Sequence, residues 1–174
     1  MQLREPPLIT YNSIQKRVQE LAFQISSEIS SDNLQVIIVL KGAMFFASDL
    51  LKSLPPVSSV DFFKVCSYRG NSSSGEIEVQ YLPTDNISGK KVLLIEDILD
   101  TGKTTSFILN WLCTQGPQMI RLCVLLKKIK SQTVTHINAD YVGFEVEDRF
   151  VVGYGMDFNN MYRNLKDIYV LEFD

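Results

Sequence analysis

Residues 92–106 read Val92-Leu-Leu-Ile-Glu96-Asp97-Ile-Leu-Asp100-Thr101-Gly102-Lys103-Thr104-Thr105-Ser106. Val92 to Ile95 is an unbroken aliphatic run after the turn Ser88-Gly89-Lys90, the pattern of a strand covered on both faces. It predicts a central strand of a parallel sheet. The chain then turns abruptly polar, at the end of the strand where open α/β sheets place their ligands.

The turn that follows suits a phosphate group. Gly102 permits close backbone approach and positive φ, the amides of Gly102 to Thr105 lie unpaired at a helix start, and Lys103 and the threonine hydroxyls add donors. The acids before it repel a phosphate, but paired carboxylates hold Mg²⁺ or accept hydrogen bonds from sugar hydroxyls. A phosphorylated sugar satisfies both halves. Two plainer readings compete. The nucleotide-triphosphate P-loop fails, because the glycine it needs five positions before Gly102 is Asp97. The other is a helix-capping turn preceded by solubilising strand-end charges.

With 174 residues, 45% hydrophobic and 21% charged, the chain is read as one globular domain, residues 1–174, with a substantial core. A formal charge of −3 argues against broad nucleic-acid binding, which relies on many Lys and Arg contacts to phosphate. Apolar runs stay short of the ~18 residues of a membrane span, and Met1 to Pro7 lacks a signal peptide's apolar core. The expectation is a soluble, cytoplasmic protein without membrane or nucleic-acid partners. Cys66, Cys113 and Cys123 are odd in number and widely spaced, and are read as reduced core residues.

Outward from the motif, Ile14, Val18, Leu21, Ala22, Ile25 and Ile29 recur at helical spacing, with Thr10 or Asn12 as the cap. Leu34 to Leu40 is a buried strand ending in Lys41-Gly42, and Ala43 to Leu54 a helix stopped by Pro55-Pro56. Lys41-Gly42 puts a cation at the ligand edge, or is an ordinary turn. Val60 to Tyr68 and Glu76 to Tyr81 alternate as strands around the polar, mobile stretch Arg69 to Gly75. Thr104 to Gln115 is a helix ending at Gly116-Pro117, and Ile120 to Leu126 a buried strand followed by Lys127-Lys128-Ile129-Lys130, either a solvated charge run or a ligand contact. His136 lies in a polar linker and is not expected to be a catalyst. Tyr141 to Val146 and, at the sheet's edge, Ile168 to Phe173 complete the strands. Phe150 and Val151 alone read as a short core strand.

The Val92–Ser106 stretch resembles the phosphoribosyl-diphosphate-binding motif of type I phosphoribosyltransferases. With Leu40-Lys41-Gly42, Phe150-Val-Val-Gly-Tyr-Gly-Met-Asp157 and Tyr162-Arg163-Asn164-Leu165, the chain is most similar to the hypoxanthine-guanine branch of that family. The resemblance spans nearly the whole chain. It implies an α/β fold of the type I phosphoribosyltransferase kind: a mainly parallel twisted sheet flanked by helices, with a small hood and a flexible active-site loop.

The resemblance also implies roles. Phosphoribosyl diphosphate would be bound by Leu40, Lys41, Gly42, Glu96, Asp97, Asp100, Thr101, Gly102, Lys103, Thr104 and Arg163, with a cis peptide bond before Lys41. Lys128 would donate to the 6-oxo group of a purine, Phe150 stack on the base, Val151 read its edge through backbone groups, and Asp157 lie beside the base and a Mg²⁺ ion shared with Glu96 and Asp97. Ser67 and Tyr68 would lead the loop that closes over the site. Asp100 is the expected general acid/base. The implied reaction moves a 5-phosphoribosyl group from phosphoribosyl diphosphate to N9 of hypoxanthine or guanine in a homodimer or homotetramer. Many relatives carry an arginine four residues after the purine lysine; this chain has Gln132, so Lys130 replaces that contact or it is absent. The alternative class is a regulator of the same fold that binds nucleic acid, which needs a basic face and not Asp100 or Lys128.

Overall fold

A computed structural model describes residues 1–67, 77–129 and 137–173. In chain order its elements are β1 (Gln2–Leu3), α1 (Tyr11–Glu28), β2 (Leu34–Leu40), α2 (Met44–Ser53), β3 (Ser59–Ser67), β4 (Ile77–Tyr81), β5 (Lys91–Leu99), α3 (Lys103–Thr114), β6 (Met119–Ile129), β7 (Tyr141–Glu147), β8 (Val151–Val152) and β9 (Tyr169–Glu172). The main sheet has the order β4-β3-β2-β5-β6-β7, and a second sheet the order β1-β9-β8. Every neighbour pair of the main sheet is parallel except β3–β4.

The unbroken apolar run of β5 follows from helices on both faces. Leu93 and Ile95 join one core cluster with Ile14, Leu21 and Ile25 of α1 and Phe46 and Leu50 of α2. Val92 and Leu94 point the other way, into a cluster with Ile108 and Leu112 of α3. All four strand residues are fully buried, and burial of such a side chain stabilises by about 1.5–3 kcal/mol before ordering costs. The first core also takes in Val151, Tyr154, Met156, Ile168 and Val170, so the small sheet is packed onto the large one. Thr10 is the cap of α1, its side chain accepting from the Ser13 amide at 3.3 Å.

The sequence reading needs three corrections. The central strand does not stop at Ile95. It continues to Leu99, held by the pairings Glu96↔Val124, Ile98↔Leu126 and Leu99↔Lys127, so Glu96 and Asp97 belong to the strand. The last strand is not an edge strand. β9 is the middle strand of the small sheet, antiparallel to β1 on one side and β8 on the other. Cys113 is exposed while Cys123 is buried: on α3 the inward positions are Thr105, Ile108 and Leu112, and one further residue rotates the side chain about 100° away from that face. No helix among the described residues is long and apolar enough to cross a membrane.

Candidate functional site

Three segments meet at the C-terminal ends of β2 and β5 around a cleft of about 360 Å³. The turn after β2 brings Leu40, Lys41 and Gly42; β5 and the turn after it bring Glu96, Asp97, Asp100, Thr101, Gly102 and Thr104; the segment between β8 and β9 brings Asp157 and Arg163. The Leu40–Lys41 peptide is cis. A larger groove of about 520 Å³ runs between residues 4–9 and 144–149 and contains none of the motif's acids.

Local conformation explains the cleft's shape. Gly102 caps α3 at φ 77°, in the region that favours glycine, and its carbonyl accepts from Ser106 N at 2.8 Å. The first-turn amides of α3 therefore face the cleft, an arrangement suited to an anion. Lys103 is exposed and does not line the cleft, whereas its neighbours Gly102 and Thr104 do. Gly42 has no room for a side chain: a Cβ there would run into the carboxylate of Asp97.

The acids differ in their surroundings. Glu96 is buried and accepts from Thr105 Oγ1 at 2.7 Å. Burial pushes its carboxyl up to about 8, helped by the charge of Asp97 and opposed by the Thr105 hydrogen bond. Burial pushes Asp97 up to about 6, against the pull of backbone donors at Asp97 and Ile98 and of Arg163, with Asp157 adding to the rise. Asp157 is an anchor as well as an acid. It pairs with Arg163 Nη2 at 2.5 Å and accepts from Asn160 N at 2.8 Å, while Arg163 Nη1 donates to Gly155 O at 2.7 Å. The guanidinium is thus fixed facing the cleft.

At the rim, Asp100 touches both halves of the site. Lys128 Nζ lies 3.2 Å from Asp100 Oδ2 and 2.9 Å from Asp148 Oδ1, beside a small cavity lined by Leu99, Asp100, Gly102 and Lys128. Phe150 does not line the main cleft. It is 37% exposed on the small sheet and packs edge-on against Phe158 and Phe173, with ring centroids 5.6 and 5.5 Å away. Val151 is buried in β8, paired with Val170. Ser67 ends β3, whereas Tyr68, the stretch Arg69 to Gly75, Lys130, Gln132 and His136 lie outside the described residues.

Four further residues contact those expected at the site. In the sequence Thr105 reads only as a donor at a helix start and Asp148 as one charge in a charged stretch, while Phe158 and Phe173 carry no signal, since single aromatics are ordinary core residues. Among the described residues, no three acids, cysteines or histidines converge as a preformed metal cage. The carboxylates of Glu96, Asp97 and Asp157 are hard oxygen donors, and Mg²⁺ is typically held by one or two carboxylates plus substrate phosphates. The donor set fits such a shared ion.

A mainly parallel sheet with an anion-suited turn and acids at the end of its central strand points to an enzyme of phosphoribosyl transfer. The family model for the phosphoribosyl transferase domain matches residues 10–159. The chain is 41% identical to the hypoxanthine-guanine phosphoribosyltransferase of Aquifex aeolicus, over 95% of this chain and 93% of that one. It is 39% identical to the hypoxanthine-guanine-xanthine phosphoribosyltransferase of Tritrichomonas foetus, over 97% and 92%. The crystal structure of a hypoxanthine-guanine phosphoribosyltransferase from Bacillus anthracis superposes with a TM-score of 0.90 at 34% identity, covering 98% of this chain and 100% of that one. The chain belongs to the phosphoribosyltransferase family, in its hypoxanthine-guanine branch.

Proposed function

We propose that this enzyme transfers the 5-phosphoribosyl group of phosphoribosyl diphosphate to N9 of hypoxanthine or guanine, giving IMP or GMP and pyrophosphate in purine salvage. The observation that carries the reading is the 3.2 Å contact between Asp100 and Lys128, which joins the phosphate turn to the lysine assigned to the purine. The first-turn amides of α3 hold the 5′-phosphate, so that binding energy remote from the reacting carbon becomes positioning. Glu96 and Asp97 take the ribose hydroxyls. Lys41 and Arg163 face the leaving pyrophosphate, where negative charge grows as the carbon–oxygen bond breaks.

Mg²⁺ belongs to the same proposal: Glu96, Asp97 and Asp157 would hold it together with the diphosphate, and it would supply charge stabilisation of the leaving group. On the base side, Lys128 donates to the 6-oxo group, Phe150 lies against the ring, Val151 reads its edge, and Asp100 holds or takes the proton at N7. An amino group at position 6 offers a donor to a donor, which disfavours adenine. Ser67 and Tyr68 are proposed to lead the closing loop that excludes water from an electron-poor ribosyl carbon. The reading includes residues 1–174 acting as one domain, with self-association into a dimer or tetramer. Exposed apolar side chains at Val60, Phe62, Val79 and Tyr81 support self-association, and sedimentation measures it.

A spectrophotometric assay with phosphoribosyl diphosphate, Mg²⁺ and each of hypoxanthine, guanine, xanthine and adenine tests the function. Turnover of the 6-oxopurines and not of adenine is expected, and no turnover with any base refutes it. In the same assay Asp100→Asn retains substrate binding and loses about 10²–10⁴-fold in kcat; undiminished turnover removes Asp100 from its role.

A further inference from the structure

We propose that Asp148 is a positioning residue for purine selection: it shares the Lys128 ammonium with Asp100 and fixes the direction in which that ammonium donates. The inference rests on the proposed contact between Lys128 and the 6-oxo group. Lys128 is the penultimate residue of β6, and its register partner on β7 is Val146. Asp148, just past the end of β7, therefore stands at the same edge of the sheet. The Lys128 side chain is 10% exposed, and its ammonium sits closer to Asp148 (2.9 Å) than to Asp100 (3.2 Å). Arg149, next in the chain, binds Glu147 at 2.9 Å.

An ammonium has three donors and no acceptor. Two are directed at carboxylates here, and the third is what Lys128 offers a ligand. A lysine stem is flexible, so one counterion would leave that third donor free to swing, whereas two counterions on different segments fix it. A carbonyl oxygen at the purine 6-position can accept it; an amino group cannot. Without Asp148 the ammonium closes onto Asp100, which loses a donor direction for the base and occupies the carboxylate assigned to the proton. Asp148 thus acts through Lys128 and needs no contact with either substrate.

The test is steady-state kinetics of Asp148→Ala, Asp148→Asn and Lys128→Ala with hypoxanthine and adenine, together with melting temperatures. Losing one charged hydrogen-bond partner predicts that Asp148→Ala raises the hypoxanthine KM about tenfold. The same variant narrows the hypoxanthine-over-adenine ratio of kcat/KM and leaves the KM for phosphoribosyl diphosphate and the melting temperature unchanged, as befits a side chain 52% exposed. Asp148→Asn, which keeps an acceptor oxygen in place, restores most of the selectivity. A merely structural role would lower the melting temperature without altering the ratio. If Asp148→Ala keeps the wild-type KM and ratio while Lys128→Ala loses both, Asp148 has no such role. If Lys128→Ala itself keeps the preference for hypoxanthine, the assignment of Lys128 falls, and this inference with it.

Discussion

Asp61 ties β3 to the connection entering the central strand, and replacing it separates charge from shape. It is 6% exposed. One carboxylate oxygen accepts from Thr84 N at 2.7 Å and Asp85 N at 3.2 Å, the other from Phe62 N at 2.7 Å. Burial raises its pKa, but these donors outweigh burial and hold the carboxyl below 3.8. In Asp61→Asn one oxygen remains and an amide NH₂ faces backbone N–H groups, an arrangement expected to cost about 1–3 kcal/mol. For a chain of this size that is a drop in melting temperature of about 2–4 °C per kcal/mol.

The pH dependence has a definite sign. A carboxyl whose folded pKa is depressed contributes stability that is complete above its unfolded value and is lost as pH falls through the folded value. Urea midpoints of wild type and variant should therefore differ most near neutrality and converge as pH drops below 3.8. An equal gap at both pH values, or none near neutrality, would refute the assignment of the stabilisation to the carboxylate's charge.

Three other perturbations address the site and the correction at α3. Gly42→Ala forces the Asp97 carboxylate or the turn to move; since displacements of about 1 Å can cost 10²-fold, the KM for phosphoribosyl diphosphate should rise steeply while that for the purine barely changes, and an unaltered value would sink the packing argument. Phe173→Ala removes one of the two edge-on supports of Phe150, worth about 0.5–1.5 kcal/mol, so the purine KM should rise several-fold, with recovery in Phe173→Tyr; equal values for wild type and the alanine variant would show that the support is dispensable. In a Cys66→Ser background, Cys113, exposed, should label rapidly with a disulfide reagent, whereas Cys123 should not, being fully buried with its thiol raised by burial; persistence of the same fast phase once Cys113→Ser is added contradicts this.

Local patterns carried the reading furthest where their causes are local. Val92 to Ile95 announced a strand covered on both faces because each residue must bury on one side or the other, and Thr10 as a cap depends on a hydroxyl three residues from its amide partner. Distant pairings were hidden. Nothing between residues 168 and 173 says that Leu171 faces Leu3, so a strand expected at an edge lies in the middle of the small sheet. Depth was hidden too: Glu96 looked like a charge at the end of a strand, but pairing with β6 carries the strand past it and encloses it. Asp148 was unreadable for the same reason, because its partner Lys128 lies on the neighbouring strand.

The small sheet gives the site an order in time. A chain synthesised from its N-terminus makes the turns after β2 and β5 well before the segment that carries Phe150, Val151 and Arg163. Domains generally fold as units, and in this one β1 must wait for β9, its partner at Gln2↔Glu172 and Leu3↔Leu171. The wall that includes Phe150, Val151 and Arg163 closes only when that late strand is inserted between β1 and β8. The base wall and the arginine proposed for pyrophosphate thus depend on the same strand pairing.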